Sequence, residues 1–438
     1  MPIHYPESER LLPLARKVTP LGTQTRSKGA QAFVEGAWPA FINRGQGAWV
    51  WDVDGNKFCD WMCALGPVTL GYCYPSVDEA VRRQLNKGTI FSLPSPLEAE
   101  CADALLAMLG WPEQARFIKT GSESTEAAIR IARKATWRDK IFTIRTGYHS
   151  WHSWFQASKP DHPGVPRSYG SLLELFSYNN LEELERIFAL AESGVLTGGL
   201  PAAVIMEPTL IEPPKPRFLE GVRKLCDDYG VLLIFDEVVC GFRWAIGGGG
   251  EYFGVRPDLA CFGKGMANGM PLACVVGPER LIKHADVVSG TFGGECLSLA
   301  ACLEVLKIYR QQPVIEHLWK TGNELMYRLN AAFTHSGFGD GSQVRARCIG
   351  YGVHPKIVWE GEQADLAAAV FWQECAANGV LFHPSGFNVS YSHGPAELEF
   401  TSNAVAAALQ YMGGPLHDGD FARALKGKPP AANPFRPA

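Results

Sequence analysis

Short apolar runs alternate with longer stretches of helical period through the middle of the chain. The runs at residues 116–118, 141–145, 203–206, 231–235, 259–262 and 272–276 are brief and mostly apolar. That is the pattern of strands buried on both faces. Between several of them lie stretches of helical spacing, such as 125–136 and 218–229. Ser95-Pro96-Leu97-Glu98 reads as a capping box with proline at the first helical position, opening a helix through Leu109. Strands alternating with helices predict an α/β fold, with a mostly parallel sheet covered by helices. Ligands in such sheets bind at the carboxyl ends of the strands.

The two ends of the chain carry a different pattern. The first stretch, to about residue 55, is loop-rich. It closes on Trp49-Val50-Trp51 and then Asp54-Gly55, a strand entering a hairpin turn. Beyond about residue 320 the spacing predicts a helix over 316–335. Two strand-like pieces follow, 348–353 and 356–359, split by Pro355, and then a helix over 362–378. This predicts a smaller α+β domain built from both termini. The expected division is 1–65 for the N-terminal part of the small domain and 66–318 for the large domain. Residues 319–415 form the rest of the small domain, and 416–438 a surface-draped or disordered tail.

Composition narrows the function class. The chain has 438 residues, 46% of them apolar and 20% charged, with a net charge of −4. Length and balance suit a globular protein with a large core. Lys and Arg are scattered, so a nucleic-acid surface is not expected. The N-terminus carries acids and prolines without an apolar h-region, and no apolar run is long enough for a bilayer. The 12 cysteines lack zinc-ligand spacing and are expected to be reduced and buried. A cytoplasmic location is the expectation.

Candidate chemistry gathers where the predicted strands end. The run VLLIFDEVVCGFR ends in Asp236-Glu237, which places carboxylates at the ligand edge of the sheet. LACFGKGMANGMPLACVV holds Lys264 between two glycines and apolar flanks. A lysine in low-polarity surroundings becomes a nucleophile toward carbonyls. KTGSESTEAAIRIARKAT runs from a strand through Gly121-Ser122 into a helix, and free N–H groups there bind phosphate. TGYHSWHSW puts aromatics, Tyr148 first, after another strand, where they can stack on a flat cofactor. His149 and His152 lack acidic or cysteine companions at ligand spacing, so no metal is expected. Singly, each feature has a commoner structural role: loop acids, a turn lysine, an N-cap, a self-packed aromatic loop. Their weight comes from occurring together.

Together these segments resemble the class III aminotransferases of the pyridoxal 5'-phosphate (PLP) fold type I. Within them the look is that of glutamate-1-semialdehyde aminomutase and its relatives. The resemblance runs from about Ala37 to about Ala408 and covers WDVDGNKFCDW, GPVTLGY, TGSESTEAAIRIAR, GYHSW, IMEPTLIEPP, FDEVVCGFR, EYFGVRPDL, FGKGMANGMPLA and TFGGECLSLAA, in the family's order.

The resemblance implies roles residue by residue. Lys264 would form the internal aldimine with PLP and shuttle the substrate's proton. Asp236 would hold the pyridine nitrogen protonated. Gly121 and Ser122 would cradle the phosphate. Tyr148 would stack on the ring, with His149 beside it and Glu207 positioning the Asp236 region or the ring hydroxyl. Thr291 would reach the phosphate of a neighbouring subunit, which implies a homodimer. Arg26, Trp151 and Glu212 are substrate-side candidates, with Trp154 and Phe91 as further aromatics.

The implied activity is amino transfer from an amino acid donor to a carbonyl acceptor. The sequence departs from the aminomutase pattern at Ser150-Trp151 and at Gly294-Glu295-Cys296. Its SKG and TFGGE segments are similar to aminomutase-like proteins of sugar or polysaccharide biosynthesis. An intramolecular aminomutase is the alternative, and a PLP-binding protein without turnover a more distant one.

Overall fold

The structure is a computed structural model and describes residues 3–159 and 164–430. The chain divides into two compact units. One comprises residues 1–74 and 316–438, the other residues 75–315. In chain order the first unit begins with α1 (Pro6–Val18), β1 (Ile42–Gln46), β2 (Trp49–Asp52) and β3 (Lys57–Asp60). The second unit runs α2 (Pro75–Leu85), α3 (Pro96–Leu109), β4 (Gln114–Ile118), α4 (Gly121–Thr136), β5 (Ile141–Ile144), α5 (Ser153–Gln156), β6 (Leu173–Phe176), α6 (Leu181–Glu192) and β7 (Ala203–Met206). It continues through α7 (Phe218–Asp228), β8 (Leu232–Asp236), α8 (Gly248–Phe253), β9 (Leu259–Phe262), β10 (Ala273–Gly277), α9 (Glu279–Ile282) and α10 (Cys296–Gln311). The chain then returns to the first unit with α11 (Val314–His335), β11 (Val344–Tyr351), β12 (His354–Gly361), α12 (Ala364–Ala377), β13 (Val380–Leu381) and α13 (Pro395–Asp418).

The seven-stranded sheet of the second unit has the order β4-β10-β9-β8-β7-β5-β6. Strands β6, β5, β7, β8 and β9 pair in parallel, and β10 is antiparallel to both β9 and β4. The mostly parallel α/β sheet expected from the alternation is present.

Period two explains why each strand reads as one apolar run. Ala203 and Ile205 join the core on one face with Ala128, Ile129 and Ile131 of α4. Val204 and Met206 join the core on the other face with Leu184 and Phe188 of α6 and Val222 of α7. Both faces are dry, so no polar position interrupts the strand. The box at α3 forms as read: Ser95 Oγ accepts the Leu97 N–H at 3.3 Å, and Glu98 Oε1 accepts the Ser95 N–H at 3.0 Å.

The first unit holds a four-stranded sheet, β1-β2-β3-β13, and the hairpin β11-β12. It departs from the sequence pattern in several places. α1 is a 13-residue helix in the stretch expected to be loop-rich, with Pro6 in its first turn. Pro355 does not split two strand pieces; it lies inside β12 opposite Gly350, and the turn falls at Gly352-Val353. A two-stranded sheet leaves the proline an outer edge, where its missing N–H costs no ladder bond. The segment expected as a tail from 416 begins inside α13. Beyond it Phe421 and Ala424 are buried, and Lys428 exchanges main-chain bonds with Glu35. Part of that expected tail, residues 431–438, lies outside the described residues. Of the cysteines, Cys73 is exposed and the other eleven are buried.

Candidate active site

Strand direction brings the candidate residues to one edge. β5, β7, β8 and β9 point the same way, so the loops after Ile144, Met206, Asp236 and Phe262 leave from the same side of the sheet. β4 ends beside the start of β10, which in turn lies beside the end of β9. Thr120-Gly121 therefore leaves at that edge too. Asp236 is level with Cys261 across the ladder, three residues before Lys264. Glu207 follows the Met206–Phe235 pair and stands level with Asp236. Both carboxylates are buried, Asp236 at 4% exposure and Glu207 at 7%.

Asp236 is oriented by groups distant in sequence. Its Oδ2 lies 2.8 Å from His149 Nδ1, and its Oδ1 accepts the Val238 N–H at 3.1 Å. Facing a carboxylate, Nδ1 is the protonated nitrogen of the imidazole. The His149 side chain is fully buried, and its Nε2 has no hydrogen-bond partner. Phe155 meets the His149 ring edge-on at 5.4 Å between centroids, and Trp154 lies parallel to it at 6.2 Å. Thr125 donates to the His149 carbonyl at 2.9 Å and so fixes the loop that carries it. Tyr148, the residue before, stays 42% exposed and leans edge-on against Phe155. Burial and then the Asp236 charge push its phenol above the ordinary value.

The start of α4 is a ready anion site. Thr120 and Glu123 form a capping box that takes the Glu123 N–H. The Gly121 and Ser122 N–H groups precede the first intrahelical bond and have no acceptor within α4. Gly121 is required here: a Cβ would stand 2.8 Å from Val238 Cγ1. Ser122 Oγ accepts the Trp151 N–H at 3.3 Å, so its own proton can go to an anion.

Val238 is a contact the sequence reading did not single out. It lies beneath Gly121 on one side and Gly263 on the other, where a Cβ would meet the same methyl at 3.4 Å. One apolar side chain thus sets the separation between the anion loop and the lysine loop. No sequence signal marks it beyond its place two residues after Asp236. Lys264 itself has φ 21°, a left-handed backbone inside the turn that follows β9. It is near enough to Cys240 for its charge to act on that thiol, whose ionisation burial suppresses.

Glu237 parts company with Asp236. The sequence put both acids at the ligand edge, but Glu237 turns into the second unit. It is 1% exposed, and its two oxygens accept the Gly250 and Gly249 N–H groups at 2.7 and 2.8 Å.

The remaining candidates scatter. Trp151 is 69% exposed and meets His152 edge-on at 4.7 Å. Trp154 is core rather than lining, at 5% exposure. Phe91 is 50% exposed and covers Gly88. Glu212 is exposed, and its carboxylate accepts from Asn179 at 3.0 Å in the turn after β6. Thr291 lies in an exposed turn beside Phe292, which is 59% exposed. Arg26 is exposed and belongs to the first unit.

The donor set suits a phosphorylated, flat, basic ring carrying an aldehyde. Two open N–H groups and a hydroxyl fit a phosphate, a buried carboxylate backed by histidine fits a ring nitrogen, and Lys264 follows three residues after the strand position level with Asp236. A fold with this edge defines a PLP enzyme of the α/β aminotransferase kind. The chain belongs to the family "Aminotransferase class-III", whose model matches residues 31–412.

It is 35% identical over 400 residues to a glutamate-1-semialdehyde 2,1-aminomutase of Syntrophobacter fumaroxidans, covering 85% of this chain and 91% of that protein. It is 34% identical over 392 residues to a 3-aminobutyryl-CoA aminotransferase of Cloacimonas acidaminovorans, covering 86% and 90%. Among solved structures it superposes with the FumI protein of Sphingopyxis, determined in its PLP internal aldimine form. There the TM-score is 0.86 and the identity 27%, over 97% of this chain and 98% of that one. The chain is a PLP-dependent enzyme, and no helix among its described residues is long and apolar enough to cross a membrane.

Proposed function

We propose that the protein transfers an amino group from an amino acid donor to a carbonyl acceptor, with Lys264 and Asp236 as its catalytic residues. The observation that carries this reading is the buried Asp236–His149 pair at 2.8 Å, level with the strand that leads to Lys264. When bound, PLP supplies a protonated ring that takes up the electron pair released as a proton leaves the carbon bearing the amine. Asp236 holds the proton on the ring nitrogen, and His149 keeps Asp236 aligned. The Lys264 amine moves the proton to and from that carbon. Gly121 and Ser122 bind the phosphate through main-chain N–H groups, and Tyr148 covers the ring face. Glu207, level with Asp236, shares the positioning of that edge.

The acceptor side rests on exposed residues. Trp151 and Arg26 are the substrate-side candidates, and a sugar or specialised-metabolite carbonyl is the proposed acceptor class. Glu212, tied to Asn179, is a weaker candidate than either. A homodimer in which Thr291 reaches the neighbouring cofactor is part of the reading, as is a cytoplasmic location. The relatives' names include both an aminotransferase and an aminomutase. Intramolecular transfer is therefore the second reading. The departures from the aminomutase pattern at Ser150-Trp151 and Gly294-Glu295-Cys296 favour the first; in the second of these Glu295 caps α10 and pairs with Lys119 at 3.0 Å.

The test is turnover of carbonyl acceptors with and without an amino donor. Product only when a donor is present supports the aminotransferase. Conversion of glutamate-1-semialdehyde without any donor overturns it.

A further inference from the structure

Glu237, the acid just after β8, and the run Gly247-Gly248-Gly249-Gly250 have no part in the chemistry above. We infer that Glu237 is a positioning residue for the cofactor edge, acting through a glycine cradle that grips its carboxylate; the inference rests on the reading of Asp236 and Lys264 just given.

Glu237 is tied on every side. Its N–H donates to the Cys261 carbonyl at 2.9 Å, which extends the β8–β9 ladder beyond Asp236 toward Lys264. Its carbonyl accepts the Gly241 N–H at 2.7 Å and closes the turn that holds Val238. Its side chain spans to Gly249 and Gly250, with one oxygen on each N–H.

The cradle can only be glycine. A Cβ on Gly248, whose φ is +78°, would stand 2.1 Å from Glu237 Oε2. A Cβ on Gly249 would strike Pro208, the residue after Glu207, at 2.6 Å. Glu237 therefore ties the end of β8 to β9 through its main chain and to Gly249 through its side chain, and Gly249 in turn packs against Pro208 just after β7. Those ends carry Glu207, Asp236 and the approach to Lys264. An amide at 237 cannot replace the acid in either protonation state, because its NH₂ accepts no bond and would face one of the two N–H groups, whereas either oxygen of the acid can accept.

The test compares Glu237→Gln, Gly248→Ala and Gly254→Ala as PLP-loaded proteins. Gly254 has φ +72° with open space around it, so its alanine variant carries a similar backbone strain without touching Glu237. Three quantities are read: the PLP dissociation constant from reconstitution, the pH midpoint of the bound cofactor's visible absorbance, and Tm.

Glu237→Gln and Gly248→Ala should each weaken PLP by about tenfold or more and move the pH midpoint in the same direction. Gly254→Ala should lower Tm without either change. Wild-type PLP affinity and midpoint in both Glu237→Gln and Gly248→Ala, with only Tm reduced, would overturn the role. If Glu237→Gln does not fold, Gly248→Ala against Gly254→Ala decides alone. A Lys264→Ala variant separates the two levels: if it keeps the lysine-bound cofactor absorbance, the reading of the site fails, whereas the outcomes above concern Glu237 only.

Discussion

Residues 236–241 and residues 289–295 both border glycine-rich turns in the second unit, yet they are built in opposite ways. The first segment is buried and tied by main-chain and carboxylate bonds to the turns that hold His149, Gly241 and Gly249. The second is exposed over residues 289–292, with Thr291 and Phe292 facing outward, before Glu295 at its end is held by Lys119. Groups that must keep one ionisation state and one orientation sit in the dry, over-determined segment, where low polarity strengthens each contact. Groups proposed to meet a substrate or another subunit sit where they can still be covered.

Breaking the buried segment should cost most. Lys264→Ala removes the amine that moves the proton and should lower kcat by about 10⁴-fold, with the lysine-bound absorbance lost; retained turnover would move the chemistry elsewhere. Asp236→Asn keeps the shape but removes the charge facing His149. A loss of about 10²- to 10³-fold in kcat is expected, measured in single turnovers with a saturating donor. Gly121→Ala pushes a methyl into Val238 and displaces the start of α4. It should weaken PLP by about tenfold or more, read by reconstitution of apoenzyme, while donor preference stays unchanged.

Changes on the exposed side should be smaller and of another kind. Trp151→Ala should raise KM for the acceptor less than about tenfold with kcat nearly constant. A fall in kcat with unchanged KM would instead place Trp151 in the buried machinery. The smallest effect concerns pH. Burial first, then the Asp236 and Glu251 charges, push Glu237 up to about 8, against the opposing pull of the two glycine N–H groups. A raised acid binds its proton more tightly in the folded state. Its contribution to stability is therefore complete below the ordinary value and is lost as pH rises through about 8. The Tm of wild type relative to Glu237→Gln should accordingly fall between about pH 5.5 and about pH 8.5.

Local pattern decided much about this protein. Period two with both faces dry made strands such as Ala203–Met206 and Leu259–Phe262 legible to the residue. The capping box at Ser95 was likewise readable, because its donors and acceptors lie within four residues. The order of motifs identified the class III family and, with it, the cofactor.

Other features were settled only by tertiary packing. His149 meets Asp236 across 87 positions of sequence, Val238 separates two loops by its volume, and Glu237 turns away from its neighbour into Gly248, Gly249 and Gly250. α1 and the packed segment after α13 escaped the reading for a related reason. Their order comes from contacts such as Arg16 of α1 with Glu35 and Glu35 with Lys428, which no local period announces. Sequence periodicity records which side of a strand or helix is dry, and so it determined the scaffold and the edge where chemistry gathers. Which side chains touch at that edge depends on how separate strands bring their ends together, and only the folded chain decides that.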